Sequence, residues 1–363
     1  MNVKRALERI PADRVAEDRA WAVVRSAFEE REAVPQRRVG ARWSVAAVGI
    51  AVVCAAAALS PPGRAVVNAV RRSIGIEHAA PALFRLPSSG RLLVSGRGGT
   101  WAVAPDGSKR RLGSWPDAAW SPHGLFVVAS TRDGLAAVEP RDGTVRWSLG
   151  RPDVSLPAWG GTRRDTRIAY FSGASLRVVA GDGTGDRLLA RRAARVAPVW
   201  QPERHVVAFV SRAAGVIVQN VDSGAVVAWH RMSGGVVRSL AWSADGARLA
   251  VATSTGVHVF GREAVTLAVR DVRLVAFARD GELALLTPEA LLVYGPEGVQ
   301  TVLRVQTRLA GVAWSPDGRW LVTSLPRADQ WVFVGRGRVL AVSHIARQFG
   351  GAAPSLDGWV PGA

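Results

Sequence analysis

A chain of 363 residues, 48% of them hydrophobic, can bury a large core and is long enough for two or three domains. Its formal charge of +18 comes almost entirely from arginine: Lys4 and Lys109 are the only lysines among 47 basic residues, and the arginines are spread without a stripe or a recognised binding motif, which argues against nucleic acid as a partner. The single Cys54 excludes an intrachain disulfide and a cysteine-based metal site.

Residues 1–42 are polar and carry ten basic and seven acidic side chains. Pro11 suits the first turn of a helix running to about Glu32, on which Trp21, Val24 and Phe28 recur at i, i+3 and i+7 and form one apolar stripe with Ala20 and Ala27. A lone amphipathic helix must cover such a stripe with a neighbouring helix, a bilayer surface, a second chain or a cytoplasmic protein partner. Trp21, Val24 and Phe28 are the candidate partner-binding residues of this segment.

Between Arg42 and Arg64 lie 21 residues without a charge, apolar from Trp43 to Leu59 and closed by Pro61-Pro62. Helical residues rise 1.5 Å each, so the dense part measures roughly 25 Å against a hydrocarbon core of ~30 Å, and Ser60 with the prolines completes the crossing. Residues 43–62 are therefore expected to form a single transmembrane helix. A cleavable signal would need a charged leading region of 42 residues, and a lipoprotein signal needs a small residue where Val53 precedes Cys54. Arg25, Arg31, Arg37, Arg38 and Arg42 flank the span on one side, against Arg64, Arg71 and Arg72 on the other. That excess places the N-terminus in the cytoplasm and the rest of the chain outside the cell membrane. Residues 63–89 read as a short helix and a proline-containing stalk.

From residue 90 the pattern changes to short Val/Ile/Leu-rich runs separated by Gly, Asp, Pro and Ser, the signature of strands and turns. Ala-Trp-Ser-Pro-Asp-Gly at 313–318 recurs as Ala-Trp-Ser-Pro-His-Gly at 119–124, Val-Trp-Gln-Pro-Glu-Arg at 199–204, Ala-Trp-Ser-Ala-Asp-Gly at 241–246 and Ala-Phe-Ala-Arg-Asp-Gly at 276–281, with a looser copy from Ala158-Trp159. Steps of 39, 41, 42, 35 and 37 residues join Trp120, Trp159, Trp200, Trp242, Phe277 and Trp314, the period of four-stranded propeller blades. Six anchors suggest six blades. Residues 92–114, however, supply only the last three strands of a repeat, and Ala353 to Gly358, aligned with Ala313 to Gly318, supplies only a first strand. Joining the two pieces makes a seventh blade, closed by strands from opposite ends of the domain. The expected fold is all-β, a seven-bladed β-propeller over residues 90–363, with six blades as the alternative, preceded by one transmembrane helix and a short helical segment.

The repeated Trp-Ser-Pro-Asp-Gly element followed by an apolar strand resembles the WD40-like β-propeller repeats of the TolB type. That resemblance implies an interaction or sensing scaffold and carries over no functional residue, because the shared positions define the fold.

Catalytic chemistry finds little support. The six histidines are scattered, no Gly-x-Ser-x-Gly element occurs, and Gly181-Asp182-Gly183-Thr184-Gly185-Asp186 lies between two expected strands, where a hairpin turn explains it better than a phosphate or calcium loop. No catalytic, metal or cofactor site is assigned. Arg97, Arg132, Arg212 and Arg327 fall in loops between second and third strands, all opening on one face, and are the candidate residues for an anionic ligand. Trp120, Trp159, Trp200, Trp242 and Trp314 are expected between blades, whereas Trp115, Trp147, Trp229 and Trp331 are left for surface contacts. The expected function is a non-catalytic, membrane-anchored extracytoplasmic propeller that binds a protein or cell-envelope ligand, with a layout like that of a transmembrane anti-sigma factor. A propeller hydrolase or lyase working at the central channel is the alternative.

Overall fold

A computed structural model describes residues 85–362 except 213, 214, 233 and 234. The expected helix within residues 1–42 with Trp21, Val24 and Phe28, the span 43–62 and the stalk up to residue 84 lie outside the described residues. Among those described, no helix is long and apolar enough to cross a membrane.

Twenty-eight strands follow one another among the described residues. They are β1 (Arg91–Gly96), β2 (Gly99–Val103) and β3 (Lys109–Gly113); β4 (Ala118–Trp120), β5 (Val127–Ser130), β6 (Gly134–Val138) and β7 (Val145–Gly150); β8 (Val154–Gly161), β9 (Thr166–Ser172), β10 (Ser175–Ala180) and β11 (Arg187–Ala190); β12 (Val199–Trp200), β13 (Val206–Ser211), β14 (Gly215–Asn220) and β15 (Val226–His230). Then come β16 (Val237–Trp242), β17 (Leu249–Thr253), β18 (Val257–Phe260) and β19 (Val265–Leu267); β20 (Leu274–Phe277), β21 (Leu283–Leu286), β22 (Ala290–Gly295) and β23 (Gly298–Arg304); β24 (Ala310–Trp314), β25 (Trp320–Leu325), β26 (Gln330–Gly335) and β27 (Arg338–Ser343); and lastly β28 (Ser355–Val360). They form seven four-stranded antiparallel sheets. Six sheets use consecutive strands, while the first blade has the order β28-β1-β2-β3. The innermost strands β28, β4, β8, β12, β16, β20 and β24 touch their neighbours in that order and close a ring.

The repeated turn explains why each inner strand ends where it does. Ser315 Oγ accepts the Trp320 N–H at 2.9 Å and donates to Asp317, whose carboxylate also accepts the Arg319 N–H at 3.1 Å. Gly318 takes φ +70°, a left-handed conformation that glycine adopts at no steric cost, and its N–H closes the turn on Ser315 O at 2.9 Å. Ser243 and Ser121 clip the same turn in two other blades.

The core lies between blades. Ala250 and Val257 of the fifth blade pack with Val275 and Leu283 of the sixth, all buried, and each fully buried Val or Leu side chain contributes about 1.5–3 kcal/mol. The repeated tryptophans act as expected: the Trp200 indole N–H donates to Ala158 O at 2.9 Å and that of Trp314 to Ala276 O at 3.0 Å, each acceptor belonging to the preceding blade's inner strand.

Two expectations change. Trp331 is fully buried against Phe349 in the cluster joining the last and first blades, because β26 is an interior strand of its sheet with both faces covered. The closing strand is also shifted. It is Trp359, paired with Leu92 and packed against Phe333, that stands where Trp314 stands in its own blade. The expected alignment of Ala353 to Gly358 is therefore out of register, because a helical turn at Ile345–Gln348 and the pair Gly350-Gly351 lengthen the connection from β27.

Candidate functional site

Arg97, Arg132, Arg212 and Arg327 occupy the β1–β2, β5–β6, β13–β14 and β25–β26 connections, and so share one face of the ring. Their side chains make no hydrogen bond or ion pair with a common partner among the described residues. Arg327 sits in a short 3-10 turn, Pro326–Ala328.

The Gly181 to Asp186 stretch is a turn, tied by Gly183 N–H to Ala180 O and by Thr184 N–H to Asp182, both at 2.9 Å. Its last residue does more. Asp186 is almost buried and accepts Arg151 Nε at 2.8 Å, Arg177 Nη2 at 2.8 Å and the Tyr170 hydroxyl at 2.7 Å. Burial alone would raise this carboxyl, but hydrogen bonds from Arg177, Tyr170 and Arg151 outweigh it and hold it below its ordinary range. Burial and the bond to Asp186 push the Tyr170 hydroxyl up to about 12. With Arg151 on the connection from the second blade and Arg177 and Tyr170 on the third all meeting one carboxylate, the cluster reads as a brace. A second cluster links His205 to Asp222 and to Asp165 O, joining neighbouring blades at the surface.

Catalysis at the channel needs a titratable group on an inner strand that a substrate can reach. Among the described residues no group of three His, Cys, Asp or Glu could hold a metal ion. Asp357 of β28 is the inner-strand carboxyl with the strongest perturbation. It is the extra residue of a β-bulge opposite Leu93 and Val94, which turns its side chain toward the Ser355 hydroxyl at 3.1 Å. Its Oδ2 is buried and has no hydrogen-bond partner among the described residues. Burial pushes its carboxyl up to about 7, against the Ser95 and Ser355 hydroxyls and with the help of the Asp117 charge. The sign follows. An unfolded carboxyl titrates near 3.9, so the native state holds the proton more tightly, and stability falls as pH rises from about 4 to about 7. Asp357→Asn is expected to raise the melting temperature at pH 8, removing a penalty of a few kcal/mol, and to leave it unchanged at pH 4; equal shifts at both pH values would refute the assignment.

Exposed apolar surface is concentrated on one edge. Of eight large hydrophobic residues that are exposed among the described residues, Val226, Val227 and Trp229 lie on β15, at 58%, 61% and 54% exposure, and Val236 at 72% lies on the connection that follows. β15 is the outermost strand of its blade, so one side of its backbone is unpaired by the sheet. A bulge at Val227 turns two successive valines outward, and Arg231 lies over the Trp229 ring at 5.3 Å. The other tryptophans left for surface contacts behave differently: Trp115 packs against a core cluster, and the Trp147 indole donates to Gly181 O at 2.9 Å. Of the four, Trp229 alone is among the exposed residues. The valines beside it carried no sequence signal, since Val-Val also reads as a core strand.

Residues 199–267, the whole of the fourth and fifth blades, match the family described as Anaphase-promoting complex subunit 4 WD40 domain. Residues 301–334 match the WD domain, G-beta repeat. No curated protein matches the chain. Among solved structures, apo AztD from Citrobacter koseri is similar over 70% of this chain and 82% of its own, with a TM-score of 0.51 and 11% identity. At that identity the likeness concerns the fold alone.

Proposed function

We propose that this WD40-like seven-bladed propeller serves as a protein-binding scaffold and that its outer edge at β15 is the docking surface. The observation that carries this reading is the coincidence of an open strand edge with Val226, Val227 and Trp229. An extended segment of a partner can add to such an edge through main-chain hydrogen bonds while its side chains cover the apolar row. The uncharged run 43–62 and the arginine excess before it support the finer reading: a single-pass membrane protein with the propeller outside and residues 1–42 facing the cytoplasm, where Trp21, Val24 and Phe28 would meet a second partner. The Trp-Ser-Pro-Asp-Gly element supports a TolB-type propeller, and Arg97, Arg132, Arg212 and Arg327 remain the proposed contacts for an anionic ligand on the loop face.

One experiment tests edge and placement together. A membrane-impermeant crosslinker applied to intact cells is expected to join the full-length protein to a partner, and the double substitution Val227→Glu with Trp229→Glu to cut the yield about tenfold or more, as expected when an apolar anchor is replaced by a charge. Unchanged crosslinking in the double variant would rule out the β15 edge. Crosslinking that appears only after permeabilisation would rule out the extracytoplasmic placement.

A further inference from the structure

On the face of the ring opposite the four arginine loops, the first two blades part into two adjoining hollows of about 530 Å³ and about 180 Å³, and Arg91 lines both. Arg91 opens β1 and leans toward the second blade: its Nη2 donates to Gly124 O, its guanidinium lies over the Trp120 ring at 5.0 Å, and its Nε is buried with no hydrogen-bond partner. Arg110 of β3 lines the larger hollow, Arg141 from the β6–β7 connection the smaller. Burial and then the charge of Arg141 depress the Arg91 guanidinium below its ordinary range, so the two cations repel each other in place. The carboxylate at this site does not relieve them, because Glu139 is held by Arg146.

A chain rich in arginine scatters exposed arginines by composition alone, but composition does not explain a half-buried guanidinium facing a second one where the neighbouring carboxylate, Glu139, is paired with Arg146. Such an arrangement costs energy until an anion enters. We infer that this cleft is a binding site for a small phosphate-bearing molecule, gripped by Arg91, Arg110 and Arg141. The larger hollow falls in the range of small-molecule sites, and Ala102 and Pro140 give it an apolar wall for the body of a ligand whose phosphate meets the arginines. Forked guanidinium donors fit the paired oxygens of a phosphate group.

The test is calorimetric titration of pyrophosphate into the full-length protein in a mild detergent at physiological salt. Binding is expected to weaken about tenfold or more in Arg110→Gln with Arg141→Gln, and further when Arg91→Gln is added. Arg110 belongs to the β3 ladder through its backbone alone and Arg141 lies on a connection, so side-chain replacement leaves the sheet intact and the double variant should melt with the parent. Arg262→Gln with Arg304→Gln, which removes the same charge from exposed positions elsewhere, is expected to leave the affinity unchanged. Absence of binding by the parent, equal loss in the control pair, or binding only to micelles doped with phosphatidylglycerol would each overturn the assignment.

Discussion

Removal of residues 353–363 is expected to abolish cooperative melting of the propeller. β28 pairs with β1 from Arg91↔Val360 to Ser95↔Ser355 and inserts Trp359 against Phe333 of the last blade. Without it, the buried row Leu92, Leu93 and Val94 loses its cover, and β1 becomes an unpaired apolar edge at the centre of the ring. Truncating Trp359 to Ala alone should cost about 3–5 kcal/mol, a large share of the stability of a typical domain. Circular dichroism during heating, with size-exclusion chromatography, reads the outcome: the truncated chain should aggregate or lose a sharp transition, while Trp359→Ala should melt earlier and still sharply. A truncated chain that melts like the parent would show that six blades suffice.

The second large effect is expected at Asp186. Replacing it with Asn keeps the shape but removes the charge that Arg151 and Arg177 share, leaving two guanidiniums side by side at the Tyr170 hydroxyl. Breaking a buried pair costs more than a surface one; with Arg151 more open than Asp186, about 3 kcal/mol is the expected loss in a urea titration near neutral pH. The pH dependence gives a second readout. The folded carboxyl is depressed, so its stabilisation is present above the unfolded value near 3.9 and is lost as pH falls through the folded one. The gap between Asp186→Asn and the parent should therefore close in acid. A gap that persists unchanged at pH 2, or is absent at pH 7, would remove the brace.

The repeat was legible because one demand recurs in the blades: a large side chain wedged between sheets, followed by a turn that only a few residue types can make. Trp200 and Trp314 share both packing and an indole hydrogen bond to the preceding blade, which explains why the aromatic spacing survives when the turn itself drifts to Gln-Pro-Glu-Arg. The seventh blade was legible as a count and misread in register, since the inserted turn at 345–348 moves Trp359 away from the spacing of the other anchors. Trp331 was misjudged because a tryptophan off the repeat position can be buried by its own strand's neighbours, which no period reveals. Asp186 looked like a turn residue, and its partners come from elsewhere: Arg177 from β10 and Arg151 from the connection between β7 and β8. The cleft at Arg91 was the least legible, because Arg91, Arg110 and Arg141 are assembled by two blades from positions with no common spacing.

The bond between β28 and β1 also sets a clock. The hydroxyls of Ser95 and Ser355 lie 3.3 Å apart in space and 260 residues apart in sequence. At ribosomal speeds of about 5–20 residues per second, roughly 13–50 s pass between the emergence of one and of the other. During that interval six blades can form by local pairing, while β1 waits with its apolar inner edge unpartnered. Yield during synthesis should therefore depend on how well that one strand is shielded, and slower elongation late in the message should lengthen the exposure without altering the stability of the finished ring.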